Sequence, residues 1–247
     1  MQHYFINQNL TLGDQIKLPN DIAHHFVKVM RAAVGDQLEL VSEKNQTLFV
    51  AKLIDADKHI VQIIENKKNN VELPVNVTIV SGLAKQSKPE LIVQKATELG
   101  VHRIIFLPMQ RSIVKWNQKS VKKISRLQEV AQSAAEQSHR NVIPKVDYLA
   151  DWDVLFQESF DQKIVAYEEV AKQGETAALV KVLQQIQPNE TIVSVFGPEG
   201  GLTDTEVNKL VDHGYIAAGL GPRILRTETA PLYFLSAVSV MLELMRN

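Results

Sequence analysis

Apolar positions follow two different periods along the chain and divide it into a short first part and a longer second part. Within residues 1–70, short and partly alternating apolar stretches predict strands at 36–41, 47–54 and 59–64. Polar turns separate these strands, as in a small barrel. Ahead of them, Asn20 or Asp21 is a candidate cap for a helix that runs to Ala33 and ends at Gly35. The first part is therefore predicted as a small β-rich unit with one helix.

This predicted helix has an apolar face and a basic face. The apolar side chains at helical spacing are Ile22, Phe26, Val29 and Met30. His24, Lys28 and Arg31 share another face, which could contact phosphate, although a solvated helix face is the commoner reason for such a stripe. Adjacent His24 and His25 point to different sides of a helix, so we expect no metal pair there.

A polar segment at residues 65–74, ending in a proline, is the predicted boundary between a domain at 1–70 and a domain at 75–247. Beyond it, apolar runs alternate with helical patterns. The predicted strands are 75–83, 103–107, 163–167, 191–196 and 216–218, and the predicted helices are 89–99, 116–139, 151–160, 177–186, 203–213 and 231–245. Repeated strand–helix units predict an α/β fold with a mostly parallel sheet covered by helices on both faces.

Charge is distributed unevenly, although the 247 residues carry a net charge of only −1. Residues 85–146 contain twelve basic and four acidic side chains, whereas residues 147–247 contain seven basic and fifteen acidic ones. The basic segment is a candidate surface for a polyanion, and a solvated face that balances the acidic half is an equally good explanation.

Several classes of protein and of site are not expected. The chain has no cysteine, which excludes disulfides and thiolate metal ligands and fits a reducing compartment. We expect no signal peptide and no membrane span, so cytoplasmic is the default location. The seven histidines have no metal-ligand spacing, and the familiar phosphate-loop, serine-hydrolase and zinc-protease motifs are absent. These exclusions leave a metal-free site that relies on backbone contacts and positioning.

Two glycine- and proline-containing loops follow apolar runs in residues 195–231. The first is Phe-Gly-Pro-Glu-Gly-Gly at 196–201, and the second extends from Gly219 to Pro231. Glycine lets a ligand approach the main chain closely, and such loops after strands suggest a backbone-lined pocket at the carboxyl ends of a parallel sheet. Taken alone, the first loop is more often an ordinary tight turn, and the second an ordinary helix start capped by Thr229.

Together, the two loops resemble those of the 16S ribosomal RNA (uracil-N3)-methyltransferases, the RsmE family of the SPOUT class. The matching residues are Phe196 to Gly201 and Leu220 to Pro231, and further matches lie at 94–101, Arg111-Ser112, 135–138 with Arg140, and His24-His25 through Arg31 with Gly35-Asp36. The resemblance therefore covers nearly the whole chain.

This resemblance implies a fold, a cofactor and an assembly. The expected fold is an N-terminal PUA-like β-barrel that binds RNA, followed by an α/β SPOUT domain with a deep trefoil knot and a mostly parallel sheet. The expected cofactor is S-adenosylmethionine, and the expected assembly is a homodimer. The residues carried over to the cofactor pocket are Gly197, Glu199, Gly200, Gly201, Leu220, Gly221, Ile224, Leu225 and Arg226.

The expected reaction is methyl transfer to N3 of a uridine in 16S ribosomal RNA of the small ribosomal subunit. A cation that stabilises the uracil anion is then needed, and Arg226 is the first candidate and Arg111 the second. Arg140 is expected to hold phosphate. The alternative for each arginine is a structural salt bridge, for instance with Glu228 or Glu136.

Contacts to RNA are expected from His24, Lys28, Arg31, Lys85, Lys88 and Arg140. Family members usually carry arginine at the second or third position, where this chain has Gln2 and His3, and this difference puts one RNA contact in doubt. A non-catalytic RNA-binding or ribosome-assembly protein and a methyltransferase for another RNA position remain alternative functions.

Overall fold

The computed structural model of the chain describes residues 1–69, 71–116, 120–172 and 177–245. These residues form two compact units: Met1–Glu72 with Ala135–Val142, and Leu73–Ala134 with Ile143–Asn247. The first boundary between the two units follows Glu72 and lies within the polar segment 65–74. The sequence pattern did not show that Ala135–Val142, near the middle of the chain, belongs to the first unit.

The first unit is built on a five-stranded mixed sheet that forms a half-barrel. Its strands are β1 (Gln2–Ile6), β2 (Gln15–Lys17), β3 (Gln37–Ser42), β4 (Thr47–Asp55) and β5 (Ile60–Lys67). They are arranged in the order β1-β3-β4-β5-β2; β1 is parallel to β3 and the other pairs are antiparallel. Leu38, Leu40 and Leu53 are fully buried in its core. The sequence pattern predicted β3, β4 and β5 but not β1 and β2.

The helix of the first unit differs from the prediction. An α-helical turn, α1 (Asn20–Ala23), continues into a π-helical segment, His24–Val29, and Arg31 then has a φ of 58°. Because a π-helix bonds each residue to the fifth rather than the fourth residue along, the positions after His24 leave the α-helical spacing. Ile22 and Phe26 are buried as predicted, whereas Val29 and Met30 are 55% and 47% exposed.

The second unit contains a six-stranded sheet whose paired strands are all parallel, which confirms the mostly parallel sheet. Its strands are β6 (Asn76–Gly82), β7 (Arg103–Leu107), β8 (Lys145–Tyr148), β9 (Gln162–Ala166), β10 (Thr191–Phe196) and β11 (Ile216–Ala218). They are arranged in the order β11-β9-β10-β6-β7-β8. The chain runs outward from β6 through β7 to β8 and then continues on the other side, which makes the region between β6 and β10 a topological switch point. Ligands bind outside the carboxyl ends of strands at such points.

Helices cover both faces of this sheet, as predicted. The helices are α2 (Lys88–Glu98), α3 (Ser120–Gln137), α4 (Trp152–Phe156), α5 (Glu168–Lys172), α6 (Ala178–Gln185), α7 (Asp204–Asp212) and α8 (Ala230–Ser239), which continues as a π-helical segment, Val240–Leu244. Ile192 packs in one core with Ile92 of α2 and Phe234 of α8. Its neighbour Val193 packs in a second core with Leu155 of α4 and Leu210 of α7. Successive strand residues thus point to opposite cores. Among the described helices, none is both long and apolar enough to cross a membrane.

Candidate functional site

A cavity of about 880 Å³ lies at the carboxyl ends of β9, β10 and β11. Two segments supply much of its wall: the first glycine loop, residues 197–203 after β10, and the second glycine loop, residues 219–229 after β11. All nine residues predicted for the cofactor pocket line it: Gly197, Glu199, Gly200, Gly201, Leu220, Gly221, Ile224, Leu225 and Arg226. Tertiary structure therefore brings the two loops to one cavity, as expected from their position after strands.

Close backbone packing explains the glycines of the first loop. A Cβ atom at Gly197 would lie 2.9 Å from the carbonyl carbon of Gly201 and from the nitrogen of Leu202. Gly201 itself has a φ of +71°, a region that L-residues rarely adopt. Any other residue at these two positions would strain this turn or displace the backbone packed against it.

Two contacts join the loops. The Thr227 hydroxyl donates a 2.6 Å hydrogen bond to the Gly197 carbonyl, and Thr227 is only 8% exposed. The Lys88 ammonium, at the start of α2, lies 3.1 Å from Glu199 in the first loop and 3.3 Å from Glu228 in the second. One hydroxyl and one ammonium thus hold the two walls of the cavity together.

The Lys88 contacts also set the charge of Glu199. Burial would raise the pKa of the Glu199 carboxyl, but hydrogen bonds from the Lys85 backbone N–H and from Lys88 outweigh it and leave the pKa below its usual value. Conversely, burial would lower the pKa of Lys88, and the two carboxylates outweigh it and raise the pKa. At neutral pH this edge of the cavity therefore holds an ion pair of Lys88 and Glu199, with Glu228 3.3 Å from the same ammonium.

Arg111 supports the first loop. Its Nη1 donates to the carbonyls of Gly200 and Leu202, both at 3.1 Å. An added Cβ at Gly200 would approach the Arg111 Cβ to 2.9 Å, so glycine is what lets the arginine lie against the loop. This geometry makes Arg111 a residue that positions the loop. The predicted alternative of a carboxylate partner is not what the structure shows.

Arg226 lies at the cavity with an exposed side chain. Its backbone carbonyl accepts from the Thr229 and Ala230 N–H groups at the start of α8, which fixes the position of its Cα. Glu228, the predicted salt-bridge alternative, pairs with Lys88 instead. Both predicted catalytic arginines are exposed and line the cavity. Arg111 differs in that its Nη1 is bound to two carbonyls of the first loop, and the catalytic role of either arginine stays a prediction.

The sequence pattern missed Tyr167 and Asp204, which also line the cavity. The Tyr167 hydroxyl donates a 2.6 Å hydrogen bond to Asp204, and this bond, with some burial, raises the pKa of Tyr167 to about 12. Tyr167 directly follows β9, and Asp204 follows Thr203, the residue that caps α7. Their positions after a strand and at a helix start were visible signals, but their pairing is visible only in three dimensions.

The predicted RNA contacts fall into two groups. The first group is exposed and consists of His24, Lys28, Arg31 and Lys85. The first three do not share one helical face, because the helix is π-helical from His24 and Arg31 lies beyond its end.

Arg140 and Lys88 are less suited to phosphate. The prediction that Arg140 holds phosphate is wrong, because its residue is only 3% exposed and its guanidinium pairs with Glu72 within the first unit. Lys88 is engaged by two carboxylates. Among the basic residues that the structure describes in 85–146, six are in ion pairs: Lys88, Lys95, Arg103, Arg126, Arg140 and Lys145. The free positive charge of this segment is therefore smaller than its composition indicates.

Family models match both units of the chain. An RNA methyltransferase domain matches residues 71–239, and an RNA methyltransferase PUA domain matches residues 18–66. A ribosomal RNA small subunit methyltransferase E from Bacillus subtilis is 43% identical over 257 aligned residues, which cover 100% of this chain and 99% of that relative.

The chain belongs to the RsmE family of RNA methyltransferases.

Solved structures of similar proteins agree with this assignment. A ribosomal RNA small subunit methyltransferase E from Neisseria gonorrhoeae, bound to S-adenosyl methionine, is 29% identical with a TM-score of 0.83 and covers 98% of each chain. A putative methyltransferase from Legionella pneumophila, in complex with the bound cofactor, is 27% identical with a TM-score of 0.81 and covers 96% of each chain. The predicted family is thus confirmed, together with its PUA and methyltransferase domains.

Proposed function

We propose that the chain transfers a methyl group from S-adenosylmethionine to 16S ribosomal RNA of the small ribosomal subunit, at N3 of a uridine. One observation carries this proposal. The two glycine loops close one cavity at the carboxyl ends of β9, β10 and β11, in an RsmE-family chain whose Neisseria gonorrhoeae relative binds S-adenosyl methionine. The choice of N3 of uridine rests on the family resemblance.

The residues of the cavity fit this cofactor. Residues 197, 200 and 201 line the cavity as glycines without side chains, and Leu220, Ile224 and Leu225 supply apolar surface. A nucleoside with an amino-acid arm needs this combination of close backbone donors and acceptors with an apolar wall. When bound, S-adenosylmethionine supplies a methyl group already activated by its sulfonium, so the protein's task is to hold the acceptor in line.

Arg226 has the geometry to assist the acceptor. Methylation at N3 requires the uracil ring to lose its imide proton, and the resulting anion is stabilised by a nearby cation. The exposed Arg226 guanidinium at the cavity is the cation we assign to this role. Arg111 acts on the first loop through the Gly200 and Leu202 carbonyls and so keeps the pocket in shape.

RNA is held, in this proposal, by the first unit and by unpaired basic residues of the second. The first unit is a PUA-type domain by its family model, and such recognition works by shape and phosphate contact. His24, Lys28 and Arg31 lie on its surface. In the second unit Lys85 is exposed beside Lys88, at the start of α2.

We further propose a homodimer, cytoplasmic location and a trefoil knot around the two glycine loops. The dimer has support in exposed apolar side chains near the chain's end: Tyr233 is 42%, Val240 44% and Leu244 69% exposed. Apolar patches of this kind mark interaction surfaces. Light scattering at micromolar concentration tests the dimer, which a monomeric mass would exclude. The knot stays a prediction from the resemblance.

Labelled S-adenosylmethionine and undermodified small ribosomal subunits test the proposed reaction. We expect label in 16S ribosomal RNA, and mapping should place it on N3 of one uridine. Label at another RNA position would instead support the alternative methyltransferase function. If no RNA became labelled while the protein still bound small subunits, the non-catalytic alternative would be correct.

A further inference from the structure

Two histidines and a glutamate converge in the first unit, away from any role in the proposed reaction. Glu39 Oε2 lies 3.1 Å from His3 Nδ1 and 2.8 Å from His139 Nδ1. These three ligand atoms all lie within 4.8 Å of one another. We propose that His3, Glu39 and His139 form a binding site for a divalent transition-metal ion, with Zn²⁺ as the first candidate.

The hydrogen bonds of His3 fix which of its nitrogens can bind a metal. His3 Nε2 lies 2.8 Å from the Arg140 carbonyl oxygen, which can only accept, so Nε2 carries the hydrogen. In neutral His3 the lone pair of Nδ1 then points at the Glu39 carboxylate. Two acceptors at 3.1 Å repel each other unless a positive charge lies between or beside them. A histidine that donates its other N–H to a backbone carbonyl is also the usual arrangement of a metal ligand.

The distances suit a small tetrahedral ion. Zn²⁺ binds histidine nitrogen and carboxylate oxygen at about 2.0–2.2 Å, which separates neighbouring ligand atoms by roughly 3.4 Å. The distances of 3.1 and 2.8 Å from Glu39 Oε2 to the two Nδ1 atoms need to widen by only a few tenths of an ångström. The rings of His3 and His139 lie 5.0 Å apart at 64°, so both nitrogens can face one point.

Burial and charge complete the site. His3 and Glu39 are 3% and 5% exposed, whereas the His139 side chain is 49% exposed, which gives an ion a route in and leaves room for water as a fourth ligand. The second carboxylate oxygen of Glu39 accepts a 2.8 Å hydrogen bond from the Lys67 ammonium. Lys67 thus holds the position of an outer-shell partner, which donates a hydrogen bond to a metal-binding carboxylate.

Metal at this site would link three separate pieces of the first unit. His3 is in β1, Glu39 in β3, and His139 in the segment Ala135–Val142 that joins this unit from far along the chain. Because the ion binds the folded unit and not the separated pieces, it should stabilise the fold by mass action. The site thus has a structural function that is independent of methyl transfer.

Calorimetric titration of Zn²⁺ into the full-length protein, stripped with a chelator, tests the proposal. We expect one ion per chain, a rise in melting temperature on binding, and visible absorption bands of a tetrahedral complex when Co²⁺ replaces Zn²⁺. The half-exposed His139 allows a variant that keeps the core intact. His139→Ala should weaken Zn²⁺ binding by at least about 10–100-fold, the loss seen when even an outer-shell partner of a metal site is removed. The exposed His24→Ala is the matched control and should bind like the wild type.

Either of two results would overturn the site. One is the absence of Zn²⁺ binding at micromolar concentration, and the other is equal binding by wild type and His139→Ala.

Discussion

Replacing Thr227 with valine removes one hydroxyl and keeps the shape of the side chain. That hydroxyl donates the 2.6 Å bond to the Gly197 carbonyl that joins the two glycine loops. Because Thr227 is 8% exposed, valine fills its space while leaving the carbonyl without this donor. The substitution therefore tests whether the link between the loops shapes the cavity.

The size of the effect follows from this geometry. Leaving a buried acceptor without its donor costs about 1–3 kcal/mol, and the partial exposure of Gly197 lets water replace some of the loss. We expect a cost of about 1–2 kcal/mol, which corresponds to a fall of about 2–8 °C in melting temperature for a domain of this size. If the free loops separate, cofactor binding has to order them again, and the affinity for S-adenosylmethionine should fall by about 5–30-fold.

Isothermal calorimetry and thermal unfolding measure both consequences. Thr229→Val is the matched control, because Thr229 is exposed two residues further along and its side chain makes no capping hydrogen bond. The control should bind S-adenosylmethionine like the wild type. An affinity of Thr227→Val within about twofold of the wild type would show that this bond does not hold the cavity together.

Three further predictions concern the site and the RNA. Arg226→Ala should lower the turnover number by about 10²–10³-fold with little change in cofactor affinity. The neighbouring exposed Arg223→Ala should leave both the turnover number and the cofactor affinity unchanged. Steady-state methylation kinetics measure both variants. Ionised Glu199 contributes its full stabilisation above the ordinary pKa of 4.5, and this contribution is lost as the pH falls through the lowered pKa of Glu199 in the folded protein. The stability difference between wild type and Glu199→Gln should therefore be present at pH 7 and shrink on acidification, as followed by urea unfolding. RNA affinity should fall steeply with salt, and Lys85→Ala should make the log–log slope shallower by about 0.7–0.9 while exposed Lys181→Ala, in the acidic half, should not.

For each of these three predictions, one result would contradict the reasoning. Unchanged turnover in Arg226→Ala would remove that residue from the mechanism. A stability difference for Glu199→Gln that did not shrink on acidification would mean that its charge is not what stabilises the loop. A flat salt response of RNA binding would exclude the basic residues as the RNA surface.

Much of the second unit could be predicted because its signals are local. The strands at 103–107, 191–196 and 216–218 have the predicted bounds, since each is an apolar run between helix ends or turns. The Thr203–Glu206 capping box forms as its spacing indicates. The cavity could also be predicted, because loops after parallel strands meet at one edge of a sheet.

What could not be predicted depends on distant pairs or on irregular backbone. β8 was missed because only Val146 of its four residues is buried, which leaves no apolar run to detect. Arg140 resembled a phosphate ligand until its pairing with Glu72, 68 residues away, became visible. His3, Glu39 and His139 are separated by 36 and 100 residues, so histidine spacing gave no indication of their cluster.

A crystal structure of the protein with S-adenosylmethionine tests the central claim most directly. The account predicts cofactor density in the 880 Å³ cavity, against the backbone of residues 197–201 and the side chains of Leu220, Ile224 and Leu225. Density at another place, or an empty cavity in crystals grown with saturating cofactor, would contradict it.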